Sequence, residues 1–138
     1  MQMQKEGLDI FVKIEKGEDI LKELEAIIQA DNIQTGEIIW AIGMIRNLQV
    51  GYFNGNEYEK ETFEKALEVV SFHGSIAENE PRLHIHSSCA GQDHHVVGGH
   101  FFGGVADPLL ELRIRKFEEI RAIRKVNPNT GLTELALL

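Results

Sequence analysis

Apolar residues recur along this chain with two different periods. In DIFVKI, residues 9 to 14, Ile10, Val12 and Ile14 fall on one face of a short strand. The segment KGEDILKELEAIIQADNI then changes period: Ile20, Leu21, Leu24, Ile27 and Ile28 form one stripe of an amphipathic helix. Glu18 and Asp19 fall in or near its first turn, where the helix dipole favours acids, and Asn32 or Gly36 is the expected stop. From Glu37 to Phe53 the pattern returns to strand, first as the buried run IIWAI and then with Leu48, Val50 and Tyr52 alternating with Asn47, Gln49 and Gly51. Asn54-Gly55-Asn56 is turn chemistry. ALEVVSFHGSIA, residues 66 to 77, is again extended, and Glu80-Pro81 breaks it.

Two strands are expected to flank residues 82 to 104, RLHIHSSCAGQDHHVVGGHFFGG. A further strand alternates Leu110, Leu112 and Ile114 with Glu111, Arg113 and Arg115, and NPNTG turns the tail TELALL back as one more strand. About seven or more strands and one clear helix predict an α+β fold, a largely antiparallel, barrel-like sheet with one main helix packed on it. No repeat or linker interrupts residues 1–138, so one domain is expected.

Composition narrows the function. The chain has 14 Lys+Arg against 22 Asp+Glu, a formal net charge of −8, so its average field repels polyanions such as DNA. The basic residues Arg113, Arg115, Lys116, Arg121, Arg124 and Lys125 are interleaved with Glu111, Glu118 and Glu119, the pattern of a mixed, solvated face. No apolar run approaches a membrane span and no signal peptide is evident, which leaves the cytoplasm as the expected compartment. The single cysteine, Cys89, agrees with a reducing environment; it reads as filler, with a metal or redox role as the minor alternative.

The candidate chemistry lies in the histidine-rich segment, which carries five of the six histidines. In LHIHS, His84 and His86 are two apart and therefore share a strand face, with Leu83 and Ile85 on the other. A hairpin centred on Gln92 pairs Ala90 with His94, His86 with Gly98 and His84 with His100, bringing three imidazoles together while Val97 and Phe101 join the core side. Three neutral imidazoles suit zinc or another divalent transition metal and leave a fourth position open. A solvent-facing strand also carries histidines as plain polar surface, so both readings stand. His94 and His95 fall in or beside the turn as solvated residues, His73 reads as half-buried and Trp40 as core. Gly98, Gly99, Gly103 and Gly104 allow close backbone approach or bending. Glu111 and Asp93 are weak candidates for proton transfer.

The order LHIHSSCAGQDHHVVGGHFFGGVADPLLELRI resembles the signature of the PPC (plants and prokaryotes conserved) domain, and KGEDILKELEAI, IGMIRNLQVGYFN and NPNTGLTEL resemble its opening helix, following strand and closing segment. The resemblance implies a sheet with one packed helix, assembly as a homotrimer, and a metal position, usually zinc, at His84, His86 and His100. Prokaryotic members commonly carry a DNA-binding label, but this chain has no AT-hook and no basic tail, and its charge counts against direct DNA contact. Three functions follow as expectations: a metal-binding regulatory module, a metal-dependent enzyme acting on a small substrate through an open coordination position, or a purely structural role in which a metal, or the histidines alone, fixes the hairpin.

Overall fold

A computed structural model describes residues 1–138. Nine strands and one helix follow in the order β1 (Gln2–Glu6), β2 (Asp9–Glu15), α1 (Ile20–Ala30), β3 (Thr35–Phe53), β4 (Tyr58–Phe63), β5 (Leu67–Ile76), β6 (Leu83–Ala90), β7 (Val96–Phe117), β8 (Ala122–Val126) and β9 (Thr133–Leu137). The α+β architecture matches the periodicity. Seven strands form one antiparallel sheet in the order β1-β2-β7-β6-β5-β3-β4, and β7 also pairs with β3. That extra pairing joins β7, β6, β5 and β3 into a ring, so the sheet closes on itself as a barrel. Register shifts between β3 and β7 at Ile38/Trp40, Gly43/Ile45 and Arg46/Gln49 supply the bends that closure requires.

The helix forms where the stripe placed it. The Asp19 side chain caps it by accepting from the Lys22 backbone N–H at 3.1 Å. Ile20, Leu24, Ile27 and Ile28 are buried against the sheet. Asp31 ends the helix, and Asn32 follows with φ 48°, the left-handed conformation that Asn accepts more readily than most residues. Ile10, Val12 and Ile14 of β2, with Leu110, Leu112 and Ile114 of β7, join these side chains in the core.

Four expectations need correction. Residues 96–117 form one strand of 22 residues, because no turn chemistry separates the histidine segment from LLELRI. Strands β1, β4 and β8 were not apparent in the pattern; β1 is exposed throughout and β4 nearly so, leaving little alternation to read. Trp40 is half-buried, not core, and meets the exposed Phe11 edge-to-face at 5.7 Å between ring centroids. The basic residues do not form one solvated face. Arg124 is buried, Arg113 is bound to Asp9, and Arg121 grips Glu78 through two 2.8 Å hydrogen bonds.

The β8–β9 hairpin is a separate two-stranded sheet. It is tied to the segment before β6 by Asn79, which exchanges hydrogen bonds with the Arg124 backbone at 2.6 and 3.0 Å. No helix is long and apolar enough to cross a membrane.

Candidate metal centre

Strand β6 alternates strictly enough to sort its own side chains. Ile85, Ser87 and Cys89 are buried, Leu83 packs against the core, and His84 and His86 stand on the outer face. On β7, Phe101 is buried and Val97 packs on the core, so His100 faces the same way as the two β6 histidines. His84, His86 and His100 thus come together, with one ring nitrogen from each lying within 4.8 Å of the others.

The hairpin that assembles them differs from the expected one. Ala90 pairs with Val96 and His86 with His100, two residues displaced from the Gln92-centred register. The turn therefore spans residues 91–95, closed by Gly91 N–H to the His95 carbonyl at 3.0 Å and by His94 at φ 64°. A two-residue shift preserves the faces, because side chains alternate with period two. His84 now lies diagonally from His100 and pairs across its other edge with Ser75 of β5.

Close backbone approach explains two of the glycines. A Cβ on Gly98 would lie 2.5 Å from the Ser87 carbonyl oxygen, and one on Gly99 would lie 2.6 Å from that of Gly51. Both allow β7 to seat His100 between its neighbours. Tyr58 and Phe102 then flank the His100 ring at centroid distances of 4.9 and 4.6 Å. Tyr58 was not apparent as part of the site because it comes from β4, which the pattern did not reveal; Phe102, two positions beyond His100 on β7, shares its face by the same alternation that aligned the histidines.

The donor set fits a metal. The His84 and His86 Nε2 atoms are 3.3 Å apart, and two nitrogens at roughly 2.05 Å from a tetrahedral zinc are about 3.3 Å apart. Nδ1 of His100 is buried without a hydrogen-bond partner, a polar atom that its protein surroundings leave unsatisfied. Burial, and then the neighbouring His84, His86, Lys60 and Arg124, push the His100 pKa down to about 4. Burial, Arg124 and His86 also lower that of His84. Neutral imidazoles with free lone pairs are what a cation needs.

The remaining candidates lie elsewhere. His94 and His95 are exposed in the turn, and His95 Nδ1 is 2.9 Å from the Asp93 carboxylate, which places Asp93 in the turn rather than among the three histidines. Glu111 is exposed eleven positions along β7 from His100 and lines a depression with Phe11 and Trp40. Cys89 is fully buried on the core side, apart from the three converging imidazoles, and burial pushes its thiol up to about 11, out of reach as a nucleophile. His73 is exposed, not half-buried, and pairs directly with His86 from β5, but it is not one of the three converging imidazoles.

Fold and site together define an α+β protein whose closed antiparallel sheet carries a cluster of three imidazoles on its outer face. The chain belongs to the Plants and Prokaryotes Conserved (PCC) domain family, whose model matches residues 1–118. That match ends before the β8–β9 hairpin, so NPNTGLTEL lies outside it. Solved structures agree. A candidate DNA-binding protein from Bacteroides thetaiotaomicron is 27% identical, with a TM-score of 0.90 over 98% of this chain and 96% of that one. A metal-containing protein from Archaeoglobus fulgidus is 25% identical, with a TM-score of 0.85 over 99% of both chains. A plant- and prokaryote-conserved protein from Pyrococcus horikoshii is 23% identical and shares the fold, with a TM-score of 0.81 over 96% and 93%. No curated protein matches the chain.

Proposed function

We propose that residues 1–138 act as one metal-binding regulatory domain of the PCC family, with His84, His86 and His100 as the ligands and zinc, or another divalent transition metal, as the ion. The convergence of three ring nitrogens within 4.8 Å carries this reading, and the metal-containing relative from Archaeoglobus fulgidus supports it. Imidazole nitrogen suits zinc and its first-row neighbours, so supply in the cell selects among them. The single reduced thiol favours the cytoplasm.

We also propose assembly as a homotrimer. Phe11 of β2 and Trp40 and Ile42 of β3 flank β7 on adjacent strands, and Phe11 and Ile42 are 52% and 54% exposed. Contiguous apolar surface of this kind is typical of a covered interface. Direct DNA binding is the weaker role: the relative from Bacteroides thetaiotaomicron carries that description, but the net charge here is −8 and the basic side chains are dispersed.

Elemental analysis of the untagged protein tests the metal reading. About one equivalent per chain is expected, and His84→Ala/His86→Ala should abolish it. No metal in the wild type after reconstitution with zinc at neutral pH would reject it. Metal-dependent catalysis is a second reading, favoured by a cavity of about 720 Å³ that opens beside His84 and His100. Hydrolysis of model esters and phosphoesters that requires both the metal and His100 would establish it.

A further inference from the structure

The cavity beside the histidines contains a cation that has no ion-pair partner. Arg124 is 5% exposed and reaches this cavity from β8. Its guanidinium donates only to neutral acceptors: Nε to the Pro81 carbonyl at 3.3 Å, and Nη2 to the Ser75 carbonyl at 3.3 Å and hydroxyl at 2.9 Å. The arginines that form ion pairs are Arg46, Arg113, Arg115 and Arg121; Arg124 is not among them. Its other terminal nitrogen, Nη1, makes no hydrogen bond within the chain. Glu134 lines the same cavity and keeps its negative charge, but it forms no ion pair with Arg124; its carboxylate accepts from Asn127 Nδ2 at 2.9 and 3.0 Å and from the Thr130 hydroxyl at 2.8 Å.

A charge withdrawn from water without a counter-ion is costly to the fold. Clasping β8 to Ser75 and Pro81 does not require that charge, since every acceptor in the clasp is neutral. The rest of the wall is largely apolar and includes Phe53, Leu83, Phe102, Leu132 and Leu135. Lys60 adds a second cation nearby, 3.8 Å above the Phe102 ring centroid. The volume of about 720 Å³ falls in the range of small-molecule sites. Arg124, Leu132 and Leu135 all lie beyond residue 118, where the family match ends.

We propose that this cavity binds a small organic carboxylate with an apolar body. The carboxylate meets the free Nη1 of Arg124, and the body lies against Leu83, Phe102 and Leu135. Arg124 supplies the charge-assisted hydrogen bond, so the site does not depend on a metal at the histidines.

Calorimetric titration of the full chain with benzoate, benzamide and acetate tests this. Benzoate should bind saturably. Benzamide has the body without the charge and acetate the charge without the body, so each should bind at least tenfold more weakly. Arg124→Gln should weaken benzoate at least tenfold in protein shown by circular dichroism to be folded. Leu135→Glu, at a 45% exposed position that tolerates a polar side chain, should do the same by adding a second carboxylate to the Glu134 already on the cavity wall. Equal binding of benzoate and benzamide, or benzoate affinity unchanged in Leu135→Glu, would overturn the proposal even if Arg124→Gln fails to fold. Benzoate binding retained in His84→Ala/His86→Ala supports the Arg124 site whatever happens to the metal. Its loss there, with Arg124→Gln unaffected, overturns it.

Discussion

His100 stays neutral because its surroundings oppose a proton from several directions. Burial disfavours the cation, and His84, His86, Lys60 and Arg124 repel it, so its pKa falls to about 4 in the folded chain, against about 6.5 for a free imidazole. Between those values the unfolded chain binds a proton that the folded one does not. The stability of metal-free protein from this group is therefore fully present above about pH 6.5 and is lost as pH falls toward 4. Urea midpoints measured across that window should rise with pH more steeply in the wild type than in His100→Gln, a difference that removes the background from the carboxylates. Metal affinity should fall with acidification as protons compete for the same nitrogens. Gly98 makes the steric counterpart of this argument. Gly98→Ala places a methyl 2.5 Å from the Ser87 carbonyl oxygen, and overpacking of this kind costs about 1 to 3 kcal/mol, readable as a lower denaturant midpoint.

At the scale of elements, the helix and the hairpin show different degrees of local control. The helix carries its own start signal, apolar stripe and stop, so Asp19→Ala should cost about 1 kcal/mol through the lost cap. Ile27→Ala should cost about 2 to 5 kcal/mol through the cavity left under a fully buried side chain. Equilibrium unfolding monitored at 222 nm checks both. The β6–β7 hairpin is less determined locally. The Gly91-Gln92-Asp93 segment allows more than one turn, and the five-residue turn places His86 opposite His100. Both turns put the three histidines on one face, and for that reason the candidate site was legible before its register was.

For the whole molecule, charge and apolar surface set the expected behaviour. The outermost strands β1 and β4 are largely polar, which discourages edge-to-edge pairing with other sheets. Among the exposed apolar side chains, Phe11 and Ile42 lie beside Trp40 on strands that flank β7. If the proposed trimer forms through this patch, Phe11→Lys/Ile42→Lys should convert it to a monomer in sedimentation velocity without changing the metal content measured for the wild type. Bound metal stabilises only the folded state, so a chelator should lower the melting temperature of the wild type and leave His84→Ala/His86→Ala unaffected.

Local chemistry by itself determined the helix, the strands with alternating apolar faces, and the shared face of His84, His86 and His100. Side-chain period is a property of the backbone and needs no distant partner. Tertiary structure decided what depends on where other elements lie. The β3–β7 pairing closes the barrel across residues 35 to 117, and no local pattern encodes a contact at that separation. Trp40 lies in an apolar run yet stays half-buried, because no layer of the chain covers that side of β3. Arg124 reads as one more surface cation, but the docking of β8 against residues 75 to 81 buries it beside the histidines. Burial is set by what packs on a residue, and for Arg124 the packing partner is more than forty positions away.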